Sequence, residues 1–119
     1  MTDRELLELA AKAAGYVIPL SYGFPDCIII STPDRGVQKW NPLTDDGDAL
    51  RLAVRLRFRV EVNERSTVVY WTHDESEKSV YEYPDSEQGD DYNIIHVGQD
   101  KATRRAIVRA AAEIGKGLK

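Results

Sequence analysis

Trp40-Asn41-Pro42-Leu43-Thr44-Asp45-Asp46-Gly47-Asp48-Ala49-Leu50-Arg51-Leu52-Ala53-Val54-Arg55-Leu56 holds a turn, a helix start and an amphipathic helix in one run. Pro42 bars Asn41 from the helical region, because the proline ring crowds the backbone of the residue before it. Thr44 is then the expected N-cap, and Asp45, Asp46 and Asp48 set negative charge against the positive end of the helix dipole. Leu50, Ala53 and Val54 are predicted to face inward, with Leu43 stapled back onto the helix. Arg51 and Arg55, four residues apart, share the outer face. Past Leu56 the period changes from helical to alternating. Phe58, Val60 and Val62 point one way, and Arg57, Arg59 and Glu61 point the other. A helix running straight into a half-buried strand sets the fold class, α+β.

The same reading extends outward in both directions. Thr2 and Glu5 form a capping box ahead of Leu6, Leu9, Ala10 and Ala13, with Leu7 and Ala14 widening the apolar face and Gly15 ending the helix. Residues 16–21 and 26–31 read as extended, separated by the turn Tyr22-Gly23-Phe24-Pro25. Thr32-Pro33-Asp34-Arg35-Gly36 is a second turn, before a short strand at 37–40. Further strands are predicted at 67–72, 79–83 and 92–97. A last helix starts near Asp100 as N-cap, carries Ile107, Val108, Ala111 and Ile114 inward, and stops at Gly115 and Gly117. Strands clustered between helices favour antiparallel pairing. Ile28-Ile29-Ile30, residues 68–71 and Ile94-Ile95 are apolar on both faces, as strands covered on both sides are. The expectation is a mainly antiparallel sheet of about four to six strands with three helices, layered as an α/β/α sandwich. One domain, residues 1–119, is expected from the length.

One cysteine, Cys27, excludes an internal disulfide and suits a reducing compartment. No apolar run has the length of a membrane span, and the acidic start of the chain does not resemble a secretion signal. A cytoplasmic protein with no membrane partner is expected. The net charge of −4 is unevenly spread. Acidic and basic side chains number eight and eight in residues 1–60, ten and two in 61–99, and two and six in 100–119. Such asymmetry marks either a bipolar surface that meets charged partners or acidic hairpin tips lying beside the basic helix and partly neutralising it.

Catalytic and cofactor signatures are missing. No glycine-rich phosphate motif, nucleophile elbow or HExxH pair occurs. Gly98-Gln99-Asp100 could offer free amides to an anion, but Asp100 occupies that place as a cap. Asp45, Asp46 and Asp48 lack the closing glutamate of a calcium loop, position 56 being leucine. Glu87, Asp90 and Asp91 belong to a polar acidic stretch with the same weakness as a metal site. Cys27, His73 and His96 are the only residues for a thiol–imidazole pair. Cys27 heads an apolar strand, where a thiol is inert, and His96 alternates with Tyr92 and Ile94. No catalytic residue, cofactor or metal is therefore expected.

Two binding readings remain. Glu87, Asp90 and Asp91, with the strand aromatics Tyr81 and Tyr83, are candidates for a protein partner. Lys101, Arg104, Arg105 and Arg109, on the outer faces of the last helix, are candidates for a phosphate backbone, with Arg51, Arg55, Arg57 and Arg59 as a second basic group. The acidic balance and the lack of a helix-turn-helix or RRM signature weigh against nucleic acid.

The 40–56 run, the opening helix at residues 2–14 and the stretch Ala102-Thr103-Arg104-Arg105-Ala106-Ile107-Val108-Arg109-Ala110-Ala111-Ala112-Glu113-Ile114-Gly115 resemble small proteins carried by tailed bacteriophages and prophages, the phage α/β/α (ABA) sandwich group. The resemblance covers under half of the chain. It implies a sandwich fold and a phage or prophage origin, and it carries over no activity and no catalytic residue. Together with the missing chemistry, it leads to the expectation of a non-enzymatic accessory protein that binds a host or phage protein. A nucleic-acid-binding accessory protein using the basic last helix is the alternative.

Overall fold

The computed structural model describes residues 1–19, 27–84 and 98–118. Three helices and five strands occur there: α1 (Asp3–Ala14), β1 (Ile28–Thr32), β2 (Gly36–Trp40), α2 (Asp46–Arg55), β3 (Arg59–Val62), β4 (Thr67–His73), β5 (Ser76–Glu82) and α3 (Gln99–Gly117). The α+β class is as expected. The strands, however, form two antiparallel sheets, β1-β2 and β3-β4-β5, rather than one. Short local turns close each pairing, and α2 carries the chain away between β2 and β3. The expected strand at 16–21 reduces, among the described residues, to a bridge between Val17 and Ser31. The expected strand at 92–97 lies outside the described residues.

α3 is the organising element. α1 packs along it most extensively, α2 lies against it, and β4 and β5 lay their inner face on it. That inner face holds Thr67, Val69 and Val80, all buried. One cluster of buried side chains joins Leu6, Leu7 and Ala10 of α1, Ile28 and Ile30 of β1, Trp40 of β2, Leu52 of α2, Val69, Val80 and the alanines of α3. Between α1 and α3 the interface is built from small residues, which lets the backbones approach closely. Gly115 sits there, inside the helix, with a Cβ position 2.1 Å from the Leu9 carbonyl oxygen. The expectation that Gly115 stops the helix is thus corrected, since α3 runs on to Gly117 and Gly115 serves helix packing.

Helix starts show two further corrections. Thr44 is not the N-cap of α2; Asp45 is, its Oδ1 accepting from the Asp48 amide at 2.8 Å. Both the Thr44 and Asp45 amides donate to the Asn41 carbonyl, so the turn uses one residue more than the sequence suggests. Asp100 is not the N-cap of α3; Gly98 is, in the left-handed region at φ 79°, with no side-chain cap. α1 follows expectation, with Thr2 accepting from the Glu5 amide and Gly15 closing the helix at φ 77°. Asp45→Ala is therefore expected to lower unfolding free energy by about 1 kcal/mol, while Thr44→Ala stays within about 0.5 kcal/mol of wild type. Equal urea midpoints for the two variants would return the cap to Thr44.

The inward face of α2 also differs. Ala49, Leu52 and Ala53 are buried, and Leu50 and Val54 are exposed. Both sets satisfy helical spacing. The closeness of α3 favours the two alanines and turns the bulkier pair outward.

Candidate interaction site

Leu50 and Val54 stand four residues apart on the outer side of α2, 64% and 68% exposed. β3 adds Val60 and Val62 from the face that its alternation directs toward the helices, and Val62 is 58% exposed. α3 contributes Thr103 and Ile107. Together α2, β3 and α3 enclose a groove of about 380 Å³, with Ala49, Ala53, Val60 and Ile107 among its lining and Leu50 and Val62 at its rim.

One end of the groove is polar and internally bonded. Arg104 donates from Nε to the Leu43 carbonyl at 2.8 Å and from Nη1 to Asp46 at 2.7 Å, and its side chain is only 18% exposed. Gln99 donates to the Thr67 hydroxyl at 2.8 Å, and Thr67 and Thr103 share a hydrogen bond at 2.9 Å. These bonds fix α3 against the sheet and against the turn before α2. The groove thus has a rigid polar end and an apolar body. It brings together no nucleophile with a base, so what it offers chemically is burial of apolar side chains.

The basic residues expected for nucleic acid are largely engaged by protein groups. Arg105 pairs with Asp3 at 3.3 Å and lies 4.0 Å from Glu82, while Arg109 pairs with Glu82 and donates to the Tyr81 carbonyl at 3.0 Å. Lys101 is exposed. Arg55 donates to the Ala14 carbonyl at 2.6 Å and covers the Tyr16 ring, and Arg51 pairs with Asp48 at 2.7 Å. Of the acidic 61–99 stretch, Glu82 at the end of β5 meets the basic helix among the described residues, while Asp3 and Asp46 come from the evenly charged first half.

Asp45, Asp46 and Asp48 each serve a different partner: the Asp48 amide, Arg104, and the Asn41 amide with Arg51. Among the described residues no cluster of three or more His, Cys, Asp or Glu could hold a metal ion, and no helix is long and apolar enough to cross a membrane. Cys27 is a half-buried free thiol before β1, and His73 lies 3.3 Å from Asp74 at the β4–β5 turn. Tyr81 and Tyr83 are exposed near the end of β5. Tyr83, Lys101 and Arg105 help line a second cavity of about 220 Å³. Glu87, Asp90, Asp91 and His96 lie outside the described residues. On the outer face of the three-stranded sheet, desolvation, then the hydrogen bond and charge of Glu61, raise the Tyr70 phenol above the ordinary tyrosine value.

The groove itself escaped the sequence reading. Its signal was the surplus of apolar residues on α2, five among positions 49–54, more than one buried face needs. No family model, no curated protein and no solved structure matches the chain.

Proposed function

We propose that this chain is a phage- or prophage-encoded accessory protein that acts in the host cytoplasm by binding another protein, of the phage or of its host, without catalysis. The apolar groove between α2, β3 and α3 carries this reading. Exposed apolar side chains that adjoin, rimmed by polar groups, are the usual signature of a protein contact. A groove of this size accepts one or two large apolar side chains of a partner. Its bonded polar end would fix their register. The same reading keeps an α/β/α layering, now with two sheets in place of the single one expected. Glu87, Asp90 and Asp91, which lie outside the described residues, stay as the alternative surface of this reading.

The test is capture from a bacterial lysate on the immobilised protein, comparing wild type with Leu50→Glu and Leu50→Met, with and without nuclease. The expected outcome is a protein retained by wild type and Leu50→Met, lost with Leu50→Glu, and indifferent to nuclease. Retention unchanged by Leu50→Glu but abolished by charge reversal at Glu87, Asp90 and Asp91 would move the surface to the acidic stretch. Recovery that vanishes with nuclease would overturn the reading in favour of nucleic acid on Lys101, Arg104, Arg105 and Arg109.

A further inference from the structure

The groove between α2, β3 and α3 has a sign as well as a shape. Its lining holds three charged residues, Asp46, Asp100 and Arg104. Arg104 is engaged by the Leu43 carbonyl and by one oxygen of Asp46. The Asp46 side chain stays largely exposed, and Asp100 is exposed and caps no helix end. The polar end therefore carries two carboxylates against one guanidinium already held by protein groups. Resting on the groove reading above, we infer that the occupant is a basic amphipathic helix of the partner protein. Its apolar side chains enter the groove, and a lysine or arginine one turn further on reaches Asp46 and Asp100.

Helical form follows from the walls. Between α2 and β3 the backbone is already closed, because the Phe58 amide donates to the Ala53 carbonyl at 2.9 Å. Arg59 is taken up by Glu77 at 3.0 Å and by the Tyr70 ring. A partner strand thus finds no free start here, and docking proceeds through side chains. Along α2 the lining runs from Asp46 to Ala53, a rise of about 10 Å, or two helical turns. A helix laid along that length presents one residue per turn, at i, i+4 and i+7, the spacing by which helices anchor in grooves. Ala49, Ala53, Val60 and Ile107 receive the first two, between the rims of Leu50 and Val62. The third falls at the end where Asp46 and Asp100 stand.

Charge decides between occupants. An acidic or phosphate-bearing segment would set like charge against both carboxylates, with Arg104 held by its own bonds. A cation meets attraction there, and the net charge of −4 favours its approach from a distance. Exposed ion pairs contribute little to affinity. Burial of the apolar anchors therefore carries the binding, while the cation fixes direction along the groove. Cations are favoured in the last turn of a helix. The partner helix accordingly runs antiparallel to α2, with its C-terminal turn over Asp46.

The test selects random displayed peptides, about four helical turns long, on the immobilised full chain. The selected peptides are then measured by fluorescence anisotropy against wild type, Leu50→Glu, Asp100→Lys and Asp100→Asn, with far-UV circular dichroism to follow folding. They are expected to carry apolar residues one helical turn apart with lysine or arginine in the next turn, and to be lost with Leu50→Glu. Asp100→Lys is expected to weaken them about five-fold, the scale of an exposed ion pair, and Asp100→Asn less. Exchanging the peptide's cation for glutamate is expected to recover binding to Asp100→Lys. Leu50-dependent peptides that lack the cation, or that ignore Asp100→Lys, would overturn the inference and leave the groove standing. Peptides indifferent to Leu50→Glu, or a failure to select any, would overturn the groove with it. A wild type that self-associates in sedimentation equilibrium and becomes monomeric as Leu50→Glu would seat a second copy in the groove, and the basic helix would be overturned.

Discussion

Gly115→Ala is expected to lower unfolding free energy by about 2–3 kcal/mol, whereas Gly117→Ala, two residues further along the same helix, is expected to raise it by up to about 1 kcal/mol. Both substitutions exchange glycine for the best helix former, so intrinsic propensity favours both. What separates them is the neighbouring helix. A Cβ on Gly115 would stand 2.1 Å from the Leu9 carbonyl oxygen and 2.8 Å from its carbon, which are backbone atoms that no rotamer change can move. α1 and α3 must then part, loosening contacts among Ala10, Ala11, Ala14, Ala111 and Ala112, all buried. Overpacking of this kind typically costs about 1–3 kcal/mol, and close-packed interiors have little room to absorb it. Around Gly117 nothing lies within 4 Å of the added carbon. Thermal unfolding reads the contrast directly, as a fall in Tm of several degrees against a small rise. Equal melting points for the two variants would mean that α1 and α3 do not approach as closely as their small residues allow.

That contrast also shows where sequence reasoning reaches its limit. Local signals are legible: the Thr2 cap, the left-handed Gly15, the Pro42 turn, and the switch to alternation after Leu56 all act within a few residues of themselves. Gly115 reads as a helix stop because glycine near a helix end is a local cue, while its neighbour in space, Leu9, is remote in sequence. The same distance hides the charge pairing. Arg105 meets Asp3, Arg104 meets Asp46 and Arg109 meets Glu82, contacts made only when α3 docks on α1, α2 and β5. A basic helix in the sequence is thus a half-neutralised one in the fold. The division into two sheets was likewise invisible, since apolar alternation marks a strand without naming its partner. The candidate groove combines both limits, because Leu50, Val62 and Ile107 are brought together by three separate elements.

Leu52→Ala and Leu50→Ala form the second contrast, and it bears on function as well as fold. Leu52 is fully buried, at 0% exposure, within the joint core beside Ala49 and Ala53. Its truncation removes apolar contacts and leaves a void that the rigid α2–α3 contact cannot collapse, which is expected to cost about 2–5 kcal/mol. Leu50, two residues earlier, contacts mainly solvent and the groove, and its truncation is expected to change stability by no more than about 0.5 kcal/mol. Urea unfolding with a common slope would show a large drop in midpoint for Leu52→Ala and almost none for Leu50→Ala. The reverse order would mean that α2 is rotated, with Leu50, Ala53 and Val54 inward as the bare periodicity suggests, and would remove the groove. If the expected order holds, Leu50 is a large apolar side chain to which the isolated fold is nearly indifferent. Loss of partner capture on changing it then reports the contact alone, because the change leaves the folded population untouched.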